Sequence, residues 1–284
     1  MNKTLRAKQN PLGIMQGRLS PKKTENLQSF PHKYWKEEFY RAAELGFDQI
    51  EWLVDSDDLN LNPLGQPDGP KRINALAAAA GVKIKSLCAH FLIHGTFTLP
   101  LNRKETKATV AALSRLLVLA PAIGIEVIVV PLMGKASLGM AEGNWRQLKD
   151  NLIQAGFPSA ICTLALETDL PAPAVLTLLD QLDCDRIRIC YDIGNATALN
   201  FDVSNDFSSL ASQVVEIHIK DRFSNGGGNC CLGFGNTPVR EIVLQAKAGG
   251  YSGAFILETP VEDDWQRCAY GNMNVMRSLS NELL

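Results

Sequence analysis

The chain is expected to fold as a single-domain (β/α)8 TIM barrel of the α/β class over residues 1–284. Three observations carry that expectation. Short apolar runs of strand character alternate with segments of helical periodicity eight times, with no linker breaking the series. The 284 residues suit eight such units, because closed barrels of this kind take roughly 250 residues. The rival arrangement, an open doubly wound sheet, calls for a glycine-rich phosphate turn after the first strand, and Gly13 and Gly17 do not compose one.

The first strand is the run at 12–15, followed by Gln16, Gly17 and Arg18. The segment YWKEEFYRAAEL at 34–45 is amphipathic and ends at Gly46, which can take the left-handed C-terminal conformation without a Cβ penalty. DQIEWL (48–53) is the second strand, and the alanine-rich 71–80, ended by Gly81, the second helix. VKIKSLCA (82–89) is the third strand, with His90 and His94 just past it. The longest helical pattern, 103–122, sets Leu113, Leu116, Leu117 and Ala120 on one face. The fourth strand is 126–132 with a helix over 145–155, and the fifth is 161–167 with a helix over 172–182. The sixth strand is 186–192, followed by a poorly defined helix at 207–213. A seventh strand begins at Val214, with its helix over 239–248, and the last pair is a strand at 254–258 and a helix at 265–279.

Composition narrows the function classes. Hydrophobic residues make up 46% and charged residues 20%, an ordinary soluble balance. The formal charge of -2, with acids and bases mixed along the chain, offers no electrostatic footprint for nucleic acid or an anionic membrane. The seven cysteines (Cys88, Cys162, Cys184, Cys190, Cys230, Cys231 and Cys268) form no C-x-x-C pair, so reduced thiols in a cytoplasmic protein are expected. The opening MNKTLRAKQNPLG lacks the apolar core of a signal peptide, and no run of membrane-spanning length is expected.

The most informative stretch is VVEIHIKDRFSNGGGNCCLGFGNTP at 214–238. His218 and Lys220 interrupt its apolar strand near the end, and the glycine-rich segment after Arg222 reads as a lid over an active site or a cradle for phosphate. Thr237 and Pro238 read as the N-cap and first turn of the following helix.

In barrels of this kind the chemistry collects at the carboxyl ends of the strands. Strands five to eight end on Glu167, Asp192, His218 and Glu258, spaced by 25, 26 and 40 residues. Neighbouring strands lie about 4.8 Å apart, so four inward side chains at one height can converge on a single ion. A lone strand-end carboxylate is more often a solvated turn residue, and a lone histidine a satisfied core one. The weight lies in four consecutive ends all carrying metal-compatible groups. Three carboxylates and an imidazole suit Mn²⁺ or Mg²⁺, with Co²⁺ or Zn²⁺ compatible. Three negative charges against a dication leave one in excess, so nearby cations are expected, with Lys220, Arg222 and Arg18 as candidates.

The series LALET, CYDIGN, EIHIKDR and FILETP, together with GIMQGR near the start, resembles the sugar phosphate isomerase/epimerase superfamily. These are the xylose isomerase-like barrels, which include ketose 3-epimerases, inosose dehydratases and endonuclease IV. The likeness covers nearly the whole chain and is specific for the superfamily, not for a substrate. It implies one divalent metal on Glu167, Asp192, His218 and Glu258, with Glu167 and Glu258 also serving as the acid/base pair. The implied reaction is proton abstraction next to a carbonyl through a metal-stabilised enediolate, giving isomerisation or epimerisation. Asn195 stands where many relatives carry histidine; with His90, Lys220 and Arg222 it completes the candidate substrate contacts. The resemblance further implies a small sugar or sugar phosphate as ligand, and a homodimer, since relatives often pair. An inosose-type dehydratase with the same metal site and a catalytically silent sugar-binding barrel are the alternatives. A nuclease is not expected, because its three-metal cluster is held mostly by histidines and this chain has four in all: His32, His90, His94 and His218.

Overall fold

The computed structural model describes residues 10–21, 28–139, 142–261 and 263–281. Eight parallel strands close a barrel: β1 (Leu12–Met15), β2 (Gln49–Leu53), β3 (Ser86–Cys88), β4 (Val127–Leu132), β5 (Thr163–Thr168), β6 (Ile187–Asp192), β7 (Val214–Ile219) and β10 (Ala254–Leu257). The short strands β8 (Asp221–Arg222) and β9 (Asn229–Cys230) pair with each other as an antiparallel ribbon above the barrel. The outer helices are α1 (Trp35–Leu45), α2 (Gly69–Ala80), α3 (Lys104–Leu119), α4 (Glu142–Gln154), α5 (Ala172–Leu182), α6 (Ile193–Ala198), α7 (Val203–Leu210), α8 (Val239–Ala248) and α9 (Trp265–Asn281). The predicted barrel is therefore the observed one.

The departures have local causes. The third strand shortens to three residues, because Lys83 keeps only an isolated bridge to Gln49. The long third helix stops at Leu119 and tightens into a 3₁₀ turn, Ala120–Ile123, around Pro121, which has no N–H to continue the ladder. Residues 104–123 form one 20-residue helical run containing an 18-residue window of mean hydropathy 1.4, long and apolar enough by length and composition to cross a membrane, a run that the sequence patterning did not lead one to expect. Half of that window is buried, with Leu113, Leu116 and Ala120 fully enclosed against the barrel. The poorly defined helix expected at 207–213 is the second half of α7 followed by a 3₁₀ turn at Ala211–Gln213, and α6 precedes it as a further short helix. Thr237 does not cap α8: the cap position is Pro238, and the Thr237 hydroxyl instead accepts the Arg222 backbone N–H at 3.1 Å.

Two features of register position the site. Along β7 the side chains of Glu216, His218 and then Lys220 share the inward face, since strand side chains alternate. Between β6 and β7 the pairing slips: Ile189 faces Val214, yet Cys190 faces Glu216, leaving Val215 as an extra residue. This bulge re-phases the two strands and sets Asp192 directly beside His218. On the other side, Ile256 and Leu257 of β10 pair with His218 and Ile219. Glu258, whose N–H donates to the Ile219 carbonyl at 2.9 Å, thus lies two residues above the histidine's partner, level with Lys220.

Candidate metal centre and active site

Glu167, Asp192, His218 and Glu258 converge at the carboxyl end of the barrel. One ligand atom from each lies within 4.8 Å of the others, and all four residues are buried. The fit to a cation can be tested on the donor atoms themselves. His218 Nδ1 and Glu258 Oε2 sit 2.9 Å apart with no well-aligned hydrogen bond between them, the approach expected of two ligands sharing one ion. An oxygen-rich set with one imidazole matches a hard divalent cation. The residues present fit the group.

The rest of the site holds these ligands by their other atoms. Asp192 is the N-cap of α6, its Oδ1 accepting the Asn195 backbone N–H at 2.8 Å. The Asn195 amide then donates to Asp192 Oδ2 and to Glu167 Oε1, each at 3.0 Å, so it bridges two of the four. Arg222 donates from Nη1 to Asn195 Oδ1 at 2.8 Å and from Nε and Nη2 to the Gly227 carbonyl at 3.1 and 2.9 Å, coupling Asn195 to the ribbon. Lys220, next inward residue after His218, places Nζ 2.6 Å from Asp192 Oδ2 and 2.8 Å from Glu258 Oε1. Gly194 makes room for it, since a Cβ there would run into Lys220 Cγ. Arg18 reaches Glu258 Oε1 at 3.8 Å, and Gln28 donates to the same oxygen while accepting from Arg18 Nη2 at 2.9 Å. The sequence-predicted cations Lys220 and Arg18 therefore face the ligands directly; Arg222 acts through Asn195.

These contacts split the two glutamates. Burial pushes both carboxyls toward the neutral form, but at Glu258 Lys220, His218 and Arg18 overcome it and hold the pKa well below the usual range. Glu167 stays well above it, because burial and the Asp192 and Glu258 charges outweigh help from His218 and Lys220. Burial opposes charge on His218 too, yet Cys190, Glu51 and Glu216 together raise its pKa well above an ordinary histidine. The proton on Nδ1 is the one a bound cation would displace. His90, in the 3₁₀ turn His90–His94, is pulled down to about 4 by burial, so it is neutral at pH 7.

Sequence reasoning missed Glu51 and Glu216, which lie beneath the ligands inside the barrel. Glu51 Oε2 is 3.2 Å and Glu216 Oε1 3.6 Å from His218 Nε2. Burial, with Glu216 adding to it and His218 opposing, lifts Glu51 to about 7. Both sit mid-strand within apolar runs, QIEWL and VVEIHI, and that interruption was the available signal. Gln28 had none, being a polar residue in a loop. A cavity of about 460 Å³ opens over the site, bordered by His90, Met133, Asn195, Arg222 and Asn229 with Glu167, Lys220 and Glu258 at its floor. That is within the size range of small-ligand pockets, about 300–1,000 Å³. All four candidate substrate contacts (His90, Asn195, Lys220 and Arg222) border it.

The chain is 27% identical over 264 residues to L-ribulose-5-phosphate 3-epimerase UlaE of Escherichia coli, covering 89% of this chain and 88% of the relative. A solved L-ribulose 3-epimerase superposes with a TM-score of 0.74 at 17% identity, covering 96% of this chain and 95% of that one. A xylose isomerase-like TIM barrel protein from Mycobacterium smegmatis, solved in complex with magnesium, superposes with a TM-score of 0.66 at 18% identity, covering 96% and 98%. At those identities the two structures speak for the fold. A sequence model of the xylose isomerase-like TIM barrel matches residues 39–279, most of the chain. With that match and the closed eight-stranded barrel, the protein belongs to the xylose isomerase-like TIM barrel family.

Proposed function

We propose that the protein is a divalent-cation-dependent epimerase or isomerase of a ketose or ketose phosphate. The observation that carries the reading is the convergence of Glu167, Asp192, His218 and Glu258 within 4.8 Å at the carboxyl mouth. The likeness to L-ribulose-5-phosphate 3-epimerase supports the substrate class. When bound, Mn²⁺ or Mg²⁺ would polarise a carbonyl and its neighbouring hydroxyl, making the adjacent C–H acidic.

The chain supplies the proton transfers. Glu167 and Glu258 form the acid/base pair; without a cation, burial disfavours charge on Glu167, whereas Lys220, His218 and Arg18 favour it on Glu258. Removal of the proton by one carboxyl and its return by the other inverts the carbon or moves the carbonyl. Neutral His90 is suited to hydrogen-bonding a substrate hydroxyl, and Asn195 keeps Glu167 aimed.

The test is metal analysis of the purified protein, followed by incubation with a panel of free and phosphorylated ketoses in D₂O. Deuterium entering a carbon next to the carbonyl at constant substrate mass, apart from the isotope, supports the reading. Loss of water would instead make the protein a dehydratase, and no exchange with any sugar in the presence of added Mn²⁺ would leave a silent barrel.

A further inference from the structure

The glycine-rich segment and the last helix bring two thiols together away from the metal centre. Cys231, just after β9, and Cys268, in the first turn of α9, place their sulfurs 2.8 Å apart although 37 residues separate them. That is closer than two unbonded sulfurs normally rest. The backbone on both sides is held. Asn272, one helical turn beyond Cys268, accepts the Leu232 N–H at 2.9 Å and donates to Cys268 Sγ at 3.4 Å. Leu232 is itself buried in the core. Asp221 accepts the N–H groups of Gly233 and Gly235 at 2.9 Å each, and Gly235 must be glycine because a Cβ would strike Asp221 Oδ1. Cys231 therefore meets Cys268 because the loop is seated there.

We infer that Cys231 and Cys268 form a disulfide when the protein meets a small-molecule disulfide such as oxidised glutathione, tying the segment over the active site to α9. Cys231 is partly exposed and Cys268 buried, so Cys231 meets the oxidant first. Its thiolate displaces one glutathione thiolate to give a mixed disulfide; the Cys268 thiolate then attacks the Cys231 sulfur and expels the second. Two protein thiols are oxidised and one glutathione disulfide is reduced to two glutathiones, the two cysteine protons passing to the two expelled glutathione thiolates. The consequence reaches the site, because Asn229, two residues before Cys231, borders the cavity. The inference does not depend on the proposed reaction.

The test uses the full chain incubated with glutathione buffers of increasing oxidised fraction, followed by alkylation and non-reducing peptide mapping. A cross-linked peptide pair containing Cys231 and Cys268 is expected in the wild type and in Cys230→Ser, and is absent from Cys231→Ser and Cys268→Ser. Oxidation should slow proteolytic cutting within 223–236, and dithiothreitol should restore it. The idea is overturned if both thiols stay alkylatable in the most oxidising buffer, if glutathione remains attached to Cys231 unresolved, or if Cys230 and Cys231 link to each other instead. The wild-type map decides the matter even where a serine variant fails to fold.

Discussion

The two mouths of the barrel carry charge in opposite ways. The amino-terminal mouth opens on the larger cavity, about 830 Å³, ringed by Asp48, Lys83, Lys85, Glu126 and Arg277. Apart from the buried Glu216, which lines this cavity from beneath His218, its charges are solvated or spent on local contacts. The Lys85–Glu126 pair leaves its side chains 41% and 68% exposed, Asp48 accepts the Leu12 N–H at 2.9 Å, and Arg277 donates to the Leu45 carbonyl at 2.6 Å. The carboxyl-terminal mouth has about 460 Å³, yet Glu167, Asp192, Lys220 and Glu258 are buried and point at one another. Cavity volume does not single out the proposed site in this barrel. Desolvated, convergent charge does, because removing water strengthens each interaction and moves each pKa.

The contrast is broken most directly by matched substitutions at the two mouths. Glu167→Gln keeps the side-chain shape and removes the titrating oxygen; it should slow solvent-deuterium exchange into the substrate by about 10²–10⁴-fold at unchanged folding. If Glu126→Gln at the other mouth cost as much, the distinction would be lost.

A second effect comes from Glu38, buried under the β1–α1 loop, where its carboxylate accepts from the Gly17 and Leu19 N–H groups and from the Ser20 hydroxyl. Burial nonetheless raises its pKa from 4.5 to about 7, with those hydrogen bonds opposing. A carboxyl whose folded pKa is raised favours the folded state most below pH 4.5, and loses that contribution as pH climbs through about 7. The difference is roughly 3 kcal/mol between the limits. Urea unfolding at pH 5 and pH 8 should show wild-type stability falling over this interval and a flatter profile for Glu38→Gln; parallel profiles would contradict the assignment.

Lys220→Met sharpens the comparison further. Removing the ammonium between Asp192 and Glu258 raises the Glu258 pKa, so the acid limb of the kcat/KM profile should move to higher pH, with a loss of about 10–100-fold in metal affinity or activity. An unmoved acid limb would mean Glu258 is not the group titrating there. The smallest effect belongs to Lys85→Met, which should change stability by less than about 1 kcal/mol, since the pair is exposed and screened.

Much of this was legible in the linear order of residues. The eight strand–helix pairs follow from periodicity and from helix-ending glycines such as Gly46 and Gly81, both of which adopt left-handed conformations. The four candidate ligands announce themselves as polar ends to apolar runs. Glu51 and Glu216 lie mid-strand, away from the strand ends, and their role depends on lying beneath His218, which strand sequence does not reveal. Asn195 and Arg222 looked like substrate contacts from position alone; their side chains turn out to be linked to each other and, through Asn195, to Glu167 and Asp192. Cys231 and Cys268, unremarkable in spacing, meet only because the ribbon folds back onto α9.

Residue order alone determined that the chain would close into a barrel and which four strand ends would carry ligand-type groups, because alternation and apolar patterning are local and survive without neighbours. Tertiary structure decided how those groups face one another. The extra residue at Val215 puts Asp192 beside His218, and the β7–β10 register carries Glu258 level with Lys220. Strand pairing sets such offsets, and a slip of one residue turns every side chain to the opposite face. No single strand's sequence contains that information.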